Sequence, residues 1–416
     1  MTSEVWVWCW LPGDIAPTLA GRFRHARLPG GGRPAYRGEF VYGRSYLTHP
    51  DALALDPLQL RLADRTYETA LLEGFFGPLR DAMPDDWGRY VIDRIHGPQQ
   101  ALTDYLLKTG GDHIGNLGFS VSREEAPQTC ALPGIEILES ARAVLEGLEA
   151  GRPVDPVLSR IVRPNTGLGG ARPKITIAHE GRQWIAKFPA REDRGAPIAR
   201  VERAMLTLAA ECGIRTAHVV VHQGDILLVE RFDRTRSEDK QGWRRDAFVS
   251  AQTVFNANPA VQAYAFSGSY SRLALEMAKF CDELVREREQ LYRRMVFNCC
   301  ISNTDDHERN HGFLASDTPG RFQLSPAYDM VPRRHATRRR EHALGIGQDG
   351  FVATRANVLS ECAAFGLSAQ EATDIVDDIQ GKVVSGWTRV LTGQGLDSDE
   401  IHPWAGCFAP LPDRLS

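Results

Sequence analysis

The chain of 416 residues lacks the signatures of several large functional classes. Its eight cysteines, at positions 9, 130, 212, 281, 299, 300, 362 and 407, include no C-x-x-C pair. That scatter argues against a zinc module or a disulfide framework and suits reduced thiols in a cytoplasm. No hydrophobic run approaches the ~20 residues that cross a bilayer, so no membrane partner is expected. The apolar patch from Val5 to Leu11 is short, has no basic flank and stops at Pro12-Gly13, so it reads as a strand ending in a turn and not as a signal peptide. A net charge of −4 provides no global attraction to nucleic acid or to an anionic membrane. Internal repeats, low-complexity tracts and a helix-turn-helix pattern are all missing. What remains is a cytoplasmic globular protein, ordinary in its 43% hydrophobic and 25% charged residues and long enough for two to three domains.

Three segments differ in texture. Residues 1–150 mix short apolar runs with Gly/Pro turns, and Val5 to Trp8 and Gly38 to Tyr42 have the make-up of strands in a small sheet. Tyr90 to Ile95 and Ile137 to Glu149 follow a helical pattern, the second stopped by Gly151 and Pro153. Residues 151–235 open with a connection, Arg152 to Asn165, and a glycine-rich turn from Gly167. Strands at Ile175 to Ala178 and Gln183 to Phe188 follow. Next come an amphipathic helix, Val201 to Cys212, ended by Gly213, and a strand pair, Val219 to Val221 and Ile226 to Glu230, around Gly224-Asp225. Loop, strand, strand, helix, strand, strand is the order of a lobe that clamps a nucleotide. Residues 236–416 are expected to form a helical catalytic lobe. Its helices span Ser271 to Phe280 and Glu283 to Cys300, and a tail helix opens with the capping box Ser368-Ala-Gln-Glu371. The expected class is α/β (α+β): a two-lobed, protein-kinase-like fold with a mixed N-terminal lobe carrying β-sheets and an all-helical C-terminal lobe. Cys299 and Cys300 fall in an apolar helix end, which gives them packing roles.

Two segments carry the chemistry. Asn303 to Asn310 read Asn-Thr-Asp-Asp-His-Glu-Arg-Asn, and Pro326 to Pro332 read Pro-Ala-Tyr-Asp-Met-Val-Pro. A carboxylate and an amide five residues apart, Asp305 and Asn310, precede another carboxylate at Asp329. That order suits a site holding a nucleotide through divalent metal. One carboxylate orients a hydroxyl nucleophile, while the amide oxygen and the other carboxylate grip magnesium on the phosphates. A locally capped polar loop would use the same residue types. Placement favours the functional reading. The loop follows the apolar helix end Phe297 to Ile301 and precedes Gly312-Phe-Leu and Phe322-Gln-Leu, a short hairpin returning the chain to Asp329. Chemistry alone allows either Asp305 or Asp306 as the base. His307 would orient a carboxylate or the loop backbone, or serve structure only.

Upstream, Lys187 ends the apolar strand Trp184-Ile-Ala-Lys. An inward lysine there neutralises phosphate charge as a compact cation, although nearby Pro189 also fits an edge strand with a surface lysine. Glu202, fifteen residues on, is a candidate ion-pair partner, because kinases pair a strand lysine with a helix glutamate. The glycine loop Gly167-Leu168-Gly169-Gly170 offers backbone amides to phosphates. It is neither a Walker loop nor G-x-G-x-x-G, and Lys174 and Lys187 downstream strengthen its reading. Where the strand-rich part gives way to the helical part, the backbone of Glu230, Arg231 and Phe232 is placed to read an adenine edge, with Phe232 stacking there or packing in the core.

On these motifs the chain resembles the HipA family, the serine/threonine kinase toxins of bacterial type II toxin–antitoxin pairs. The resemblance runs over nearly the whole chain. It takes in the segment from Phe75 to Pro84, the glycine loop with Ala171-Arg-Pro-Lys174, Ala186 to Pro189, Val229 to Arg234, Asn303 to Asn310 and Pro326 to Pro332. The resemblance implies a HipA-like fold and an ATP- and Mg2+-dependent protein kinase. It implies that Asp305, two residues before His307, is catalytic and that Asn310 and Asp329 are the magnesium ligands. Lys187 becomes the ATP-phosphate lysine, with Gly169, Gly170, Ala171, His307 and the Glu230 to Phe232 hinge on the nucleotide. The implied partners are a protein substrate, which in the family can be an aminoacyl-tRNA synthetase, and a small helix-turn-helix antitoxin like HipB. Contact with DNA would be indirect, through that antitoxin.

One departure stands out. Family members often carry a serine in the glycine loop whose autophosphorylation ejects the loop; here that place holds Gly167, and Thr166 beside it is the candidate regulatory acceptor. The basic run from Arg333 to His342 is a second open element, able to dock an acidic protein surface or nucleic-acid phosphates, or simply to be solvated. Two alternatives to the toxin kinase share the same parts: a small-molecule kinase, and a nucleotide-binding regulator acting through an antitoxin–operator complex.

Overall fold

The computed structural model describes residues 2–29, 35–99, 101–152, 172–193, 195–239, 242–257, 268–334 and 340–414. Packing gathers the chain into two compact units that do not follow chain order. One comprises Met1–Arg191, Glu230–Ala257 and Leu314–Gly320; the other comprises Glu192–Val229, Asn258–Phe313 and Arg321–Ser416.

The first unit is built on an antiparallel sheet of β1 (Thr2–Cys9), β2 (Thr18–Leu28), β3 (Ala35–Tyr42), β4 (Thr66–Thr69) and β5 (Leu117–Ser120), in the order β4-β3-β2-β1-β5. The apolar patch near the N-terminus is therefore a strand, and its Pro12-Gly13 stop is a turn with Gly13 at φ 88°. Period-two alternation sets the buried face: Gly38, Phe40 and Tyr42 of β3 point inward while the residues between them do not. Phe40 and Tyr42 meet Phe23, Tyr46, Phe75 and Phe76 in one apolar core. The helices Asp86–His96 and Leu138–Glu149 match the periodic stretches read from the sequence. A hairpin follows, β6 (Lys174–His179) and β7 (Arg182–Lys187), whose register pairs Lys174 with Lys187. Its two-residue loop, Glu180-Gly181, has both residues at positive φ, the geometry that suits strand twist in tight hairpins.

The second unit is mainly helical. The helix Ile198–Glu211 ends at Gly213, which takes φ 76°, and leads into the hairpin β8 (Val219–His222) and β9 (Ile226–Glu230). The long helix Ala369–Gly393 packs against both Ile198–Glu211 and Leu284–Cys300. Its buried residues Ala372, Ile375, Val376, Ile379, Val383, Gly386 and Val390 recur at spacings of three and four, one stripe facing the core. The Ser368–Glu371 capping box forms: the Glu371 N–H donates to Ser368 Oγ at 3.3 Å and the Ser368 N–H donates to the Glu371 carboxylate at 2.8 Å. The C-terminal part is not helical throughout, since Phe248–Ser250, Gly312–Ala315 and Phe322–Leu324 are short strands. The last two are the apolar triplets that carry the chain from Asn310 to Asp329. No described helix is long and apolar enough to cross a membrane.

Candidate functional site

The end of the helix Leu284–Cys300 fixes the loop that follows it. The Ile301 N–H donates to Phe297 O at 2.9 Å, and the Asn303 N–H reaches back to Asn298 O at 2.9 Å. Ser302 sits at φ 58°, a left-handed conformation that few residues with a Cβ adopt, and its hydroxyl donates to Cys407 O at 2.6 Å. Cys299 and Cys300 are buried in the packing beneath.

The two adjacent aspartates meet opposite environments. Asp306 is 2% exposed and accepts from Asn298 Nδ2 at 2.8 Å, from His311 Nε2 at 2.9 Å and from the Tyr270 hydroxyl. Burial alone would raise its pKa, but His311 and these donors outweigh it and hold the carboxyl below its usual range. Tyr270, buried beside that charge, has its hydroxyl pushed well above the ordinary tyrosine value. Asp306 thus organises the loop from inside. The Asp305 side chain is 55% exposed, at the loop surface, and pairs there with the guanidinium of Arg333.

His307 Nδ1 accepts from the Arg309 N–H at 3.2 Å and caps the turn Glu308–Asn310, so the ring orients loop backbone. Asn310 is buried, and its amide nitrogen donates to Asp305 O at 3.4 Å, which turns the amide oxygen away from that carbonyl. Three bonds lace the second acidic segment to the loop: Asn303 Nδ2 to Asp329 O at 3.4 Å, the Tyr328 hydroxyl to Arg309 O at 2.8 Å, and Arg333 N to Ser302 O at 3.0 Å. Asp329 itself takes φ 58°, a strained backbone held by these neighbours. Its carboxylate and the Asn310 amide are both oxygen donors, the kind a hard cation such as Mg2+ takes. Among the described residues no three His, Cys, Asp or Glu side chains gather into a metal cluster.

In the first unit Lys174 and Lys187 are cross-strand neighbours with different surroundings. Lys174 is 4% exposed and forms an ion pair with Asp85, whose other oxygen accepts from Gly88 N at 2.7 Å and caps the helix Asp86–His96. Lys174, which was set with Lys187 in support of the glycine loop, has its ammonium on a buried carboxylate. Lys187 is half-buried at the end of β7. Glu202, on the helix Ile198–Glu211 of the other unit, is 2% exposed.

The segment Glu230 to Phe232, expected to be an adenine hinge, is more heavily bonded than its sequence suggests. The Arg231 N–H donates to Gln183 O at 2.8 Å, so any donor to an adenine edge falls to a neighbouring residue. The Arg231 side chain is buried, bonding Asp112, the His113 carbonyl at 2.8 Å and both oxygens of Asp233 at 3.0 and 2.8 Å. Arg234 adds bonds to Asp233 Oδ2 at 2.8 Å and to Gly115 O at 2.9 Å. Burial would raise the Asp233 pKa, yet these two arginines hold it at about 2. Arg231 is thus a rivet between its own strand end and the 112–115 loop, while Glu230 pairs with Arg182 at 2.5 Å. Thr166, Gly167, Gly169, Gly170 and Ala171 lie outside the described residues.

The basic run is not uniform. Arg333 and Arg334 are exposed, whereas Arg340 is buried and donates to Ala409 O at 3.2 Å; Arg338 and Arg339 lie outside the described residues. The network of Tyr270, Asn298 and His311 around Asp306 escaped the sequence reading. Its one visible signal was Asn298, a polar residue within the apolar end Phe297 to Ile301.

Residues 166–387 match the family model of the HipA-like C-terminal domain. No match is found among curated proteins. The structure is similar to HipA of Shewanella oneidensis MR-1, solved as a toxin–antitoxin complex with HipB and its operator DNA. The identity is 18% and the TM-score 0.68, with 98% of this chain and 96% of that one covered. This shows a shared fold over both chains. The proinflammatory kinase CtkA of Helicobacter pylori (10% identity, TM-score 0.40, 56% of this chain and 88% of that one) superposes too loosely to carry an argument.

Proposed function

The chain belongs to the HipA-like C-terminal domain family, and from that premise we propose that it is an ATP- and Mg2+-dependent serine/threonine protein kinase acting as the toxin of a type II toxin–antitoxin module. The observation that supports this most is the unequal treatment of Asp305 and Asp306. A buried, triply bonded aspartate sets the loop, and its neighbour presents a carboxylate at the surface. Asp305 orients the acceptor hydroxyl of a protein Ser or Thr and takes its proton, a role that typically contributes 10²–10⁴-fold. Lys187, with Gly169, Gly170 and Ala171, aligns the phosphates, and Glu202 steadies Lys187. The hinge of Glu230 to Phe232 seats the base. Asn310 and Asp329 hold Mg2+, which when bound offsets phosphate charge.

The partners follow from the same reading. The Shewanella relative was solved with HipB and operator DNA. A small helix-turn-helix antitoxin is therefore expected to restrain this chain in the cytoplasm, with DNA contacted through the antitoxin. An aminoacyl-tRNA synthetase is the first target to try. Thr166 stands in for the loop serine as regulatory acceptor, and an unmodified Thr166 after incubation of active enzyme with Mg-ATP would remove that role.

The deciding experiment is an Asp305→Ala variant assayed with labelled ATP and in growing cells. Loss of both phosphate incorporation and growth inhibition is expected. Retained growth inhibition would favour the nucleotide-binding regulator, and incorporation into metabolites but not proteins would favour a small-molecule kinase.

A further inference from the structure

Two adjacent arginines, the first of them paired with the exposed aspartate, have no assigned role so far. Arg333 and Arg334 follow the Asp329 segment and are both exposed. The main chain of Arg333 is fixed, its N–H on Ser302 O at 3.0 Å and its carbonyl accepting from the Cys407 thiol at 3.5 Å. Its guanidinium bonds the Asp305 carboxylate, with the two side chains 51% and 55% exposed. The Arg334 guanidinium lies 5.2 Å from the ring centroid of the buried Trp404. That stacking removes part of the rotamer freedom an arginine otherwise loses on binding. One anchored guanidinium therefore pairs with the candidate base, and the next residue along the chain, exposed and stacked on Trp404, carries a second.

An exposed ion pair contributes only about 0–1 kcal/mol, so Arg333 exchanges one carboxylate for another readily. We propose that Arg333 and Arg334 select an acidic protein segment, one with Asp or Glu close to the acceptor Ser or Thr. This rests on the kinase reading of Asp305. A substrate carboxylate takes over the planar fork of Arg333, and Asp305, released from it, turns to the acceptor hydroxyl. A substrate without such an acid leaves Arg333 on Asp305. Acidity is thus read both in binding and in the release of the base. A nucleic-acid ligand is disfavoured, because phosphate tracking needs a longer basic footprint and the whole chain carries a net charge of −4.

A degenerate Ser/Thr peptide library, scanned at each flanking position with the full chain and labelled Mg-ATP, tests this. Asp or Glu should be favoured roughly two- to five-fold at one or more positions, the range an exposed ion pair supports. Arg333→Ala should flatten that preference and Arg333→Lys should keep part of it. Arg334→Glu should shift the preference toward Lys and Arg, and it keeps the test valid if Arg333→Ala fails to fold, since among the described residues no hydrogen bond ties the Arg334 side chain to the loop. Phosphorylation with no acidic preference would overturn this inference and leave the kinase reading standing. No incorporation into any peptide or any cell-extract protein would overturn the kinase reading and this inference with it. A single-stranded oligonucleotide that suppresses phosphorylation in the parent chain but not in Arg334→Glu would assign the pair to phosphate instead.

Discussion

The side-chain amide of Asn298 donates to the Asp306 carboxylate at 2.8 Å and holds Asn303 through its oxygen at 3.1 Å. One residue in the last turn of a helix thereby sets both ends of the loop that presents Asp305. Asp306→Ala leaves this amide, His311 and Tyr270 without their shared acceptor, each unmet buried donor costing ~1–3 kcal/mol. A loss of about 3–5 kcal/mol in urea unfolding is expected. Asp305→Ala should stay within about 1 kcal/mol of the parent, because its ion pair is half-exposed, while phosphoryl transfer falls by ~10²–10⁴. Equal destabilisation of the two variants would contradict the division of roles.

Asp56 gives a pH signature in the first unit. It is fully buried, its Oδ1 accepts from the amides of Leu58 and Gln59, and its Oδ2 has no partner among the described residues. Burial, with a smaller push from Asp81, raises its pKa from 3.8 to about 6. The folded state then binds the proton more tightly than the unfolded state, so stability falls as pH rises from near 4 to near 6 and stays lower above that. Asp56→Asn keeps the acceptor for both amides and removes the titration. Its advantage over the parent should grow across that window by on the order of 3 kcal/mol. Thermal melts at pH 4 and pH 7 check it, and a constant difference would rule the mechanism out.

Lys174 and Asp85 form a buried ion pair, and removing one partner strands the other in a low-dielectric interior. Lys174→Met is expected to cost about 3–5 kcal/mol. The double variant with Asp85→Asn should recover part of that, since Asn still caps Gly88. A direct phosphate role for Lys174 predicts the reverse pattern, with intact stability and weakened ATP binding.

Two glycines in the helix Ala369–Gly393 should respond in opposite ways. A Cβ at Gly381 meets nothing within 4 Å, so Gly381→Ala gains helix propensity and should stabilise by ~0.5–1 kcal/mol. At Gly386 a Cβ stands 3.0 Å from Leu208 Cδ1, in the contact with the helix Ile198–Glu211. Gly386→Leu should therefore destabilise by ~1–3 kcal/mol through overpacking. Denaturant midpoints for the two variants moving in the same direction would refute the packing account.

Local pattern was legible where one short stretch carries its own physics. The strand at Gly38 to Tyr42, the capping box of the Ser368 helix, and the glycine stop at Gly213 each appear where the sequence placed them. The ion pair of Lys174 was not legible because its partner, Asp85, lies eighty-nine residues away, and no local pattern reports a buried pair across that distance. Arg231 looked like a hinge residue with a spare amide, yet its amide and side chain are both spent on distant groups, Gln183, Asp112 and His113.

By itself the sequence placed several of the strands and helices and brought the donor residue types of the Asn303 to Asn310 loop together, since both rest on residue types at short spacing. It left two equivalent aspartates, and side-chain chemistry does not distinguish Asp305 from Asp306; only the resemblance chose between them. Tertiary structure alone decided which carboxylate is inside. Helix Leu284–Cys300 brings Asn298 beneath the loop, and Tyr270 and His311 converge on the same oxygen of Asp306, so one aspartate is desolvated and bonded while Asp305 stays in water. Burial and partnership are properties of packing, and they exist only once segments distant in the chain have met.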